Sequence, residues 1–581
     1  MFSERALSPC RFFLVAVLIL LSFPGAAMSA ELSASPLAES LRERLQGPSE
    51  AEGASVKMAM AGEFFQAPAM VLRFYEQRAF QPVWVDDDGP LRSMHALMQT
   101  LREADRHGLN PTMYHLSALD ALLTSIGQDR GSDTMSAMAK AVDLELLLTD
   151  AFFLYGDHVL HGRLHPETLG DVWFGDHSQA EVDLVQVLHE AVETNQLQAM
   201  LENLHPAHPA YKGLLRARAQ YREIAAQGGW SSISEGAKLQ KGDRDRRVAA
   251  LRSRLLVTGD LAPDSAPGDD LFDEAVEQAV RRFQQRHGLE VDGIVGPATV
   301  AALNVPVKAR LRQIEVNMER WRWLPGQLGE RAILVNIPAF GLEVVERGQP
   351  VLTMRVVVGR PTRRTPLLSA DMSYLVFNPH WYVPPNIAVQ DKLPLLRKDP
   401  GYAARQRFKI FRRGAGDATP IDPSAIDWSA VNAQHFPYRL RQDPGPSNAL
   451  GRVKFMFPNP FHVYLHDTPS RALFAKPERA FSSGCIRVEK PLELAEYLLG
   501  ETGAWSRERM RAVLDTKKEH TVWLPTPIPV YLFYGTAWMN AEGAVEFRQD
   551  LYDHDKALEQ QLQGMLPPPR DGNNLNIAMR Y

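Results

Sequence analysis

The stretch Val463-Tyr-Leu-His466-Asp-Thr-Pro is followed closely by Phe481-Ser-Ser-Gly-Cys485-Ile-Arg487-Val. The chain has two cysteines, and the other, Cys10, lies in an N-terminal stretch typical of a removable leader. Cys485 follows a Ser-Ser-Gly run, in which small residues permit a tight turn with converging backbone N–H groups. A histidine lies one short loop upstream. Together these residues supply a candidate thiolate nucleophile, its base and an oxyanion site.

Cys485 could instead have a purely structural role. A free cysteine is more often a small buried hydrophobe than a reactive group. Here Gly484, Arg487 and His466 surround it in sequence, and this favours reactivity. With one cysteine left after leader removal, the mature chain cannot form an internal disulfide, although the oxidising compartments that receive exported proteins permit disulfides.

Residues 1–30 have the features of a secretory signal. Arg5 and Arg11 precede an apolar run that ends at Phe23, and Ala27 and Ser29 flank a larger residue. We predict cleavage just after Ser29 or Ala30. An uncleaved anchor is the alternative, but the apolar run is shorter than the ~20 residues of a spanning helix. We therefore expect an exported chain with no stable membrane span.

Composition limits the class of protein. A chain of 581 residues with 45% hydrophobic residues predicts several packed domains. Its net charge of −5 is mild, and no basic stripe with interleaved aromatics occurs. We therefore expect no nucleic-acid partner.

A helical pattern dominates from Ala67 to about Trp230. His158, His161 and His165 are spaced as ligands on one helix face could be, but Gly162 interrupts the helix and no acid or cysteine completes the set. We predict a surface helix end there, and neither a metal nor a cofactor anywhere in the chain.

A compact unit with its own signature follows. Its run Val280-Arg-Arg-Phe283-Gln-Gln-Arg-His-Gly288-Leu289 continues into Asp292-Gly293 and Gly296-Pro297-Ala298-Thr299. This unit resembles the small three-helix peptidoglycan-binding domain. A helical spacer that kept the fold but not the ligand is the alternative.

From Ala332 the hydrophobic period changes to two, which predicts β-strands. Phe461 to His466 is one such predicted strand, and its alternation would place His462 on the same face as His466, in a supporting role. The segment from Asn386 to Asn448 exceeds a hairpin connection and contains six aromatic residues, so we predict a folded lid that excludes water.

Four motifs in this part carry a second resemblance: Val356-Val-Val-Gly359-Arg360-Pro with Thr365-Pro366, Asn378-Pro-His-Trp381-Tyr-Val-Pro384, His466-Asp-Thr, and Ser482-Ser483-Gly484-Cys485-Ile-Arg487. They are similar to the L,D-transpeptidase family, which acts on bacterial peptidoglycan. The order of domains resembles its large periplasmic subfamily of Gram-negative bacteria. One departure is Ser483, where many members have histidine.

The resemblance implies a role for each matching residue. Cys485 is the expected nucleophile and His466 its general base, oriented by the main-chain carbonyl of Asp467. The N–H groups of Gly484 and Cys485 would face the oxyanion, and Arg487 would position the loop or a substrate carboxylate. The expected substrate-binding residues are Trp381, Tyr464, Ser482 and Ser483.

The implied fold class is multidomain α+β, with a β-rich catalytic domain. The expected divisions are a signal peptide (1–30), a linker or first helix (31–66), a helical scaffold domain (67–235), a peptidoglycan-binding domain (236–305), a connecting helix (306–331), a catalytic domain (332–550, with the lid at 386–448) and a C-terminal tail (551–581).

The implied activity is 3→3 cross-linking of peptidoglycan stem peptides through a cysteine thioester, with release of D-alanine. Carbapenem acylation at Cys485, a periplasmic location and other cell-wall synthases as partners belong to the same expectation. The alternatives are an L,D-carboxypeptidase or cysteine peptidase acting on stem peptides, and a non-catalytic peptidoglycan-binding protein.

Overall fold

The computed structural model describes residues 35–46, 59–60, 63–86, 89–128, 134–164, 166, 172–173, 182–264, 269–326, 328–399, 401–414, 419–500 and 503–564. The predicted leader, His165 and the chain after Gly564 lie outside the described residues. In the part that is described, no helix is both long and apolar enough to span a bilayer.

The first part of the described chain is a helical domain with one hydrophobic core. Its longest helix, α5, places Leu147, Ala151 and Phe152 fully inside this core. The first four short strands of this part form two two-stranded pieces, whereas the fifth pairs with Leu367 and Leu368 of the large sheet described below. The helices are α1 (Pro36–Gln46), α2 (Pro68–Gln77), α3 (Arg92–Arg102), α4 (Leu116–Gln128), α5 (Thr134–His161), α6 (Leu184–Thr194), α7 (Leu197–Asn203) and α8 (Pro209–Ala226), and the strands are β1 (Ala59–Met60), β2 (Glu63–Phe64), β3 (Val85–Asp86), β4 (Gly89–Pro90) and β5 (Val172–Trp173).

A buried carboxylate organises this domain. Glu145 on α5 accepts hydrogen bonds from the backbone N–H groups of Trp84 and Val85 and from the hydroxyl of Tyr75, at 3.0 to 3.1 Å. Burial raises the pKa of Glu145 to about 7. The helix thereby satisfies backbone donors of the buried segment that leads into β3.

The small unit and the helix after it follow. Three helices, α9 (Arg247–Val257), α10 (Glu274–Arg286) and α11 (Pro297–Leu303), enclose a separate core. The next helix, α12 (Val307–Arg322), is polar in sequence but buried along much of its length. It lies between α8 and the predicted catalytic domain, and its Ile314 and Met318 share a core with both.

The predicted catalytic domain is built on a sheet that closes on itself. Strand β13 pairs with β14 on one side and with β9 on the other, so the order β13-β14-β16-β8-β7-β6-β17-β9 returns to β13. The strands are β6 (Arg331–Asn336), β7 (Gly341–Glu346), β8 (Gln349–Gly359), β9 (Leu367–Phe377), β10 (Trp381–Tyr382), β11 (Phe408–Arg412), β12 (Tyr438–Gln442), β13 (Val453–Met456), β14 (Leu465–His466), β15 (Ala480–Ser482), β16 (Ile486–Val488), β17 (His520–Phe533), β18 (Ala537–Met539) and β19 (Val545–Phe547).

The segment between β9 and β13 is folded and has its own core. Strands β10, β12 and β11 form a separate three-stranded sheet. The predicted lid aromatics Phe408, Trp428 and Phe436 are buried in its core. The helices of this insert are α13 (Pro385–Ile387), a π-helical turn (Ala388–Lys392), α14 (Leu393–Lys398) and α15 (Tyr402–Arg405). Three further helices follow β16: α16 (Pro491–Leu499), α17 (Arg507–Asp515) and α18 (His554–Gly564).

The structure differs from two expectations. The strand predicted over Phe461 to His466 is shortened to Leu465–His466, because the Asn459 side chain holds the preceding residues in a turn and His462 adopts a left-handed backbone with φ of 54°. The expected strand alternation therefore does not relate His462 to His466. The predicted tail begins as helix α18, whose Leu558 is fully buried.

Candidate active site

Two short parallel strands set the geometry of the site. In β14 and β16, Leu465 pairs with Ile486 and His466 with Arg487. Because Leu465 and Ile486 are fully buried in the core, the alternation of side chains turns His466 and Arg487 to the opposite face. Cys485 immediately precedes β16, one residue before this pairing.

The imidazole of His466 has one defined hydrogen bond. Its Nδ1 donates to the carbonyl oxygen of Asp467 at 2.6 Å. This bond fixes the tautomer with a proton on Nδ1 and leaves Nε2 with a lone pair. Burial, aided by the charge of Arg487, lowers the pKa of His466 to about 3. The ring is therefore neutral at physiological pH and able to accept a proton.

The carboxylate of Asp467 holds the carbonyl that orients the histidine. It accepts a hydrogen bond from the backbone N–H of Arg452 at 2.8 Å and pairs with Arg471. Gly451 adopts a left-handed backbone, and a Cβ there would collide with the Asp467 carboxylate. The main-chain carbonyl of Asp467 therefore orients His466, and its carboxylate fixes the position of that carbonyl.

The thiol of Cys485 shares its cavity with Tyr464. The hydroxyl and the backbone of Tyr464 both act to lower the pKa of this thiol. The ring of Tyr464 also lies edge-on to His466, with centroids 5.8 Å apart. Burial raises the pKa of Cys485 to about 11, against the opposing effects of Tyr464 and of the Arg487 charge. The resting group is therefore a thiol, not a thiolate.

The turn before the cysteine is held from two sides. The hydroxyl of Ser482 donates to the Cys485 carbonyl at 2.6 Å and accepts from the Gly484 N–H at 3.1 Å. Thr365, which is fully buried, donates to the Gly484 carbonyl at 2.7 Å. Because the Gly484 N–H is already bonded, the oxyanion role predicted for it requires that bond to be exchanged. Among the described residues, the Cys485 N–H has no hydrogen-bond partner.

Two cations face the site. Arg487 forms no ion pair with any described residue, and its Nε is buried without a hydrogen-bond partner. Lys392 of the insert lies with its Nζ 5.3 Å from the ring centroid of Trp381. Burial lowers the pKa of both side chains. An unpaired buried cation is costly, so this arrangement suits an anionic ligand.

These groups line a single cavity of about 410 Å³ between the sheet and the insert. Of the predicted substrate-binding residues, Trp381 contributes from the insert and Tyr464, Ser482 and Ser483 from the catalytic loops. Ser483 accepts a hydrogen bond from Arg363 at 2.9 Å. Ser482 is almost fully buried and serves the turn more than the cavity surface. His462 also lines the cavity.

Sequence reasoning missed two contacts at the site, Thr365 on the Gly484 carbonyl and Arg363 on Ser483, and it also missed the effect of the Tyr464 hydroxyl on the pKa of the thiol. Thr365 and Tyr464 stand in or beside the motifs that carry the family resemblance. That position alone was a signal that they matter, although it did not reveal which atoms they contact.

Three family models match separate parts of the chain. Residues 330–530 match the model described as "L,D-transpeptidase catalytic domain", residues 69–217 the model of the scaffold domain, and residues 244–303 the model described as "Putative peptidoglycan binding domain". The chain is thus a multidomain protein in which residues 330–530 match an L,D-transpeptidase catalytic domain.

Individual proteins also match parts of the chain. The chain is 38% identical over 247 residues to the Haemophilus influenzae protein named "Putative L,D-transpeptidase", covering 42% of this chain and 49% of the relative, about half its length. It is 43% identical over 76 residues to the N-acetylmuramoyl-L-alanine amidase CwlM of Mycobacterium tuberculosis, covering 12% of this chain and 19% of the relative. A crystal structure of the L,D-transpeptidase of Xylanimonas cellulosilytica matches at 16% identity over 52% of this chain and 99% of that chain, with a TM-score of 0.16, too low to support an inference.

Proposed function

We propose that this protein is a peptidoglycan L,D-transpeptidase that forms 3→3 cross-links between stem peptides through a thioester on Cys485. The observation that carries the proposal is the His466 imidazole, which is neutral, bonded at Nδ1 to the Asp467 carbonyl, and shares one cavity with the thiol. The match to the family model supports the substrate class.

The first half-reaction transfers an acyl group to sulfur. The thiol proton passes to Nε2 of His466 as sulfur attacks the carbonyl carbon of the third stem residue. The C–N bond to the terminal D-alanine then breaks, and His466 returns the proton to the departing amine. Since both groups are neutral at rest, the proton moves during the attack and not before it.

The second half-reaction releases the thioester. The side-chain amine of a diaminopimelate on another stem attacks the thioester carbonyl, His466 takes the amine proton, and the thiol is restored. Water as the attacking group would give L,D-carboxypeptidase activity instead. The insert covers the cavity with its own folded core, and we expect it to favour the amine by excluding water.

The charges of the cavity support a carboxylate-bearing substrate. Arg487 and Lys392 both line it, and Asp391, the acidic residue in its lining, is paired with Arg363. Stem peptides carry several carboxylates, including that of the terminal D-alanine. We assign Arg487 to binding one of them, because its guanidinium has no protein partner among the described residues.

Export to the periplasm of a Gram-negative bacterium is part of the same proposal. The substrate lies outside the cytoplasm, and residues 1–30 have the pattern of a secretory signal. Binding of peptidoglycan by the small three-helix domain is likewise proposed, supported by its family match.

The test is incubation of the purified protein with disaccharide-tetrapeptide muropeptides, followed by mass spectrometry. Wild type should yield cross-linked dimers and free D-alanine, whereas Cys485→Ala and His466→Gln should yield neither. Tripeptide monomers without dimers would establish the carboxypeptidase instead. Unchanged dimer formation by Cys485→Ala would disprove the thioester route. Retention on purified peptidoglycan without turnover would leave the binding protein as the function.

A further inference from the structure

A second cluster of ligand-type side chains lies in the helical domain, outside the catalytic cavity. His107 ends the short 3₁₀ turn Ala104–His107, Glu202 lies in the last turn of α7, and His205 follows that helix. One ligand atom from each of the three lies within 4.8 Å of the others. The two imidazole rings are stacked, with centroids 3.6 Å apart. The histidines are buried and Glu202 is exposed, so the cluster reaches the surface at one side.

Each histidine is bonded to a tyrosine through one ring nitrogen. Nδ1 of His107 lies 3.3 Å from the hydroxyl of Tyr211, and Nε2 of His205 lies 3.2 Å from the hydroxyl of Tyr155. The other nitrogen of His205, Nδ1, is buried and has no hydrogen-bond partner. A ring that donates its N–H to an oxygen and presents a bare lone pair at its other nitrogen is the usual state of a metal-bound histidine.

We propose that His107, His205 and Glu202 bind a divalent ion of the zinc class, through Nε2 of His107, Nδ1 of His205 and the Glu202 carboxylate. Two imidazoles and one carboxylate are a common zinc ligand set, with water in the fourth position. A tetrahedral ion with ligands at ~2.1 Å holds them ~3.4 Å apart. The three groups therefore need to close by at most about 1.4 Å, which rotation of the exposed glutamate and tilting of the stacked rings can supply.

The charges around the cluster permit a cation. Arg322, Arg106 and Arg218 lie near the histidines, and each is paired with a carboxylate: Arg322 with Glu319, Arg106 with Glu103, and Arg218 with Asp105 and Glu315.

The position of the cluster suggests what the ion would do. The carbonyl of His107 accepts a hydrogen bond from Arg322, at the end of α12. That helix leads into the first strand of the catalytic domain. An ion at the cluster would tie the turn before His107 to the end of α7, and through Arg322 to this connecting helix. We assign it a structural role, independent of the proposed transpeptidase activity.

The test is zinc binding by the full chain, without an affinity tag and in the Cys485→Ala background, so that neither a tag nor the thiol competes for the ion. Isothermal titration and metal analysis should give one zinc per chain, and zinc should raise the thermal midpoint by about 5 °C. Glu202→Gln should weaken binding at least ~10-fold. The matched control is Glu193→Gln, another exposed glutamate on the same domain, which should bind as the parent does.

Glu202 is exposed, so its substitution should leave folding intact even where His205→Gln lowers stability. Absence of zinc binding at micromolar concentration by the parent would overturn the proposal. So would zinc affinity equal to that of the parent in both Glu202→Gln and His205→Gln. Neither result bears on the muropeptide assay, which tests a different site.

Discussion

Arg363 and Asp391 form a two-point ion pair, with Nη1 2.6 Å from one carboxylate oxygen and Nη2 2.8 Å from the other. Arg363 belongs to the loop between β8 and β9, and Asp391 to the π-helical turn of the insert. The same guanidinium donates to the hydroxyl of Ser483, two residues before the nucleophile. One side chain thus links the insert to the catalytic loop.

This link predicts how the insert is held over the cavity. Asp391→Asn should remove the charge pair, at a cost of about 1 kcal/mol, and loosen the insert. We expect the ratio of hydrolysed to cross-linked product to rise about fivefold, measured by mass spectrometry of muropeptides. Asp399→Asn is the control, because Asp399 pairs with Arg405 inside the insert. An unchanged ratio in Asp391→Asn would show that the pair does not control water access.

The Tyr464 hydroxyl is predicted to support the thiolate that forms during attack. Tyr464→Phe keeps the ring but removes the hydroxyl, which acts to lower the pKa of Cys485 against the effect of burial. The alkylation rate of Cys485 and the transpeptidase rate should both fall about tenfold, which corresponds to the ~1.4 kcal/mol of one hydrogen bond to a charged group. Tyr438→Phe, a tyrosine of the insert core, should change neither rate. Equal rates in wild type and Tyr464→Phe would assign the hydroxyl to packing alone.

The pH dependence of the site follows from its two displaced pKa values. Cys485 has a pKa raised to about 11, so its alkylation rate should keep rising from pH 8 to pH 10 without a plateau near 8.5. His466 has a pKa lowered to about 3, so the base stays neutral and the transpeptidase rate should show no acid limb near pH 6.5. Initial rates across pH 5 to 10 would check both. A bell-shaped pH profile of the rate centred near pH 7 would contradict both expectations and would indicate that Cys485 and His466 form a thiolate–imidazolium ion pair at rest.

The sequence predicted the elements of this protein better than their connections. The change to period two at Ala332 and the helices of the small domain are present as expected. Local periodicity carries that information, because each pattern depends on neighbouring residues. The closure of the sheet through β13 does not follow from periodicity, since it joins strands that are far apart in the chain. The shortened strand before His466 depends on one side chain, Asn459, whose amide holds the turn.

The candidate site shows the same division. Cys485 and His466 could be selected because the residue types needed for acyl transfer are few and stand close together. The Arg363 to Asp391 pair could not, because an arginine and an aspartate separated by 28 residues have many alternative partners. His107 and His205 are 98 residues apart, so no metal-ligand spacing could reveal them.

Stability should depend on pH through His115 in the helical domain. Its Nε2 lies 2.8 Å from Asp150 and its Nδ1 3.2 Å from Glu63. Burial alone lowers the pKa of His115, but the hydrogen bonds and charges of these two carboxylates outweigh it and raise the pKa. The stabilisation from the charged ring is fully present below the unfolded pKa of about 6.5 and is lost as pH rises through the higher folded value.

Thermal unfolding between pH 5 and 9 would measure this effect. We expect the midpoint of wild type to fall by ~2–4 °C across this window relative to His115→Gln, in which the ring is absent. His161→Gln is the control, since His161 is exposed and pairs with Asp157. The same profile in wild type and His115→Gln would exclude His115 as the source.

A buried ion pair stabilises the small domain and lies next to its contact with the catalytic domain. Arg286 bonds to both carboxylate oxygens of Asp260, and its Nη1 reaches the Val545 carbonyl of the catalytic domain. Both side chains are more than nine-tenths buried. Asp260→Ala would leave the guanidinium charged and unpaired, which should cost ~3–5 kcal/mol. The substitution should therefore lower the stability of the small domain and weaken its contact with the catalytic domain.

Hydrogen exchange at the amides of α10 would report that loss directly. Asp270→Ala is the matched control, because Asp270 pairs with Arg244 at the surface of the same domain and should cost less than ~1 kcal/mol. Nearby, His287 of the signature run stacks with Phe547 of the catalytic domain. This stacking joins the small domain to β19. Asp260→Ala should therefore also loosen the small domain from β19, which would be measured as faster hydrogen exchange of the β19 amides. Equal protection in both variants would mean that the buried pair contributes no more than the exposed one.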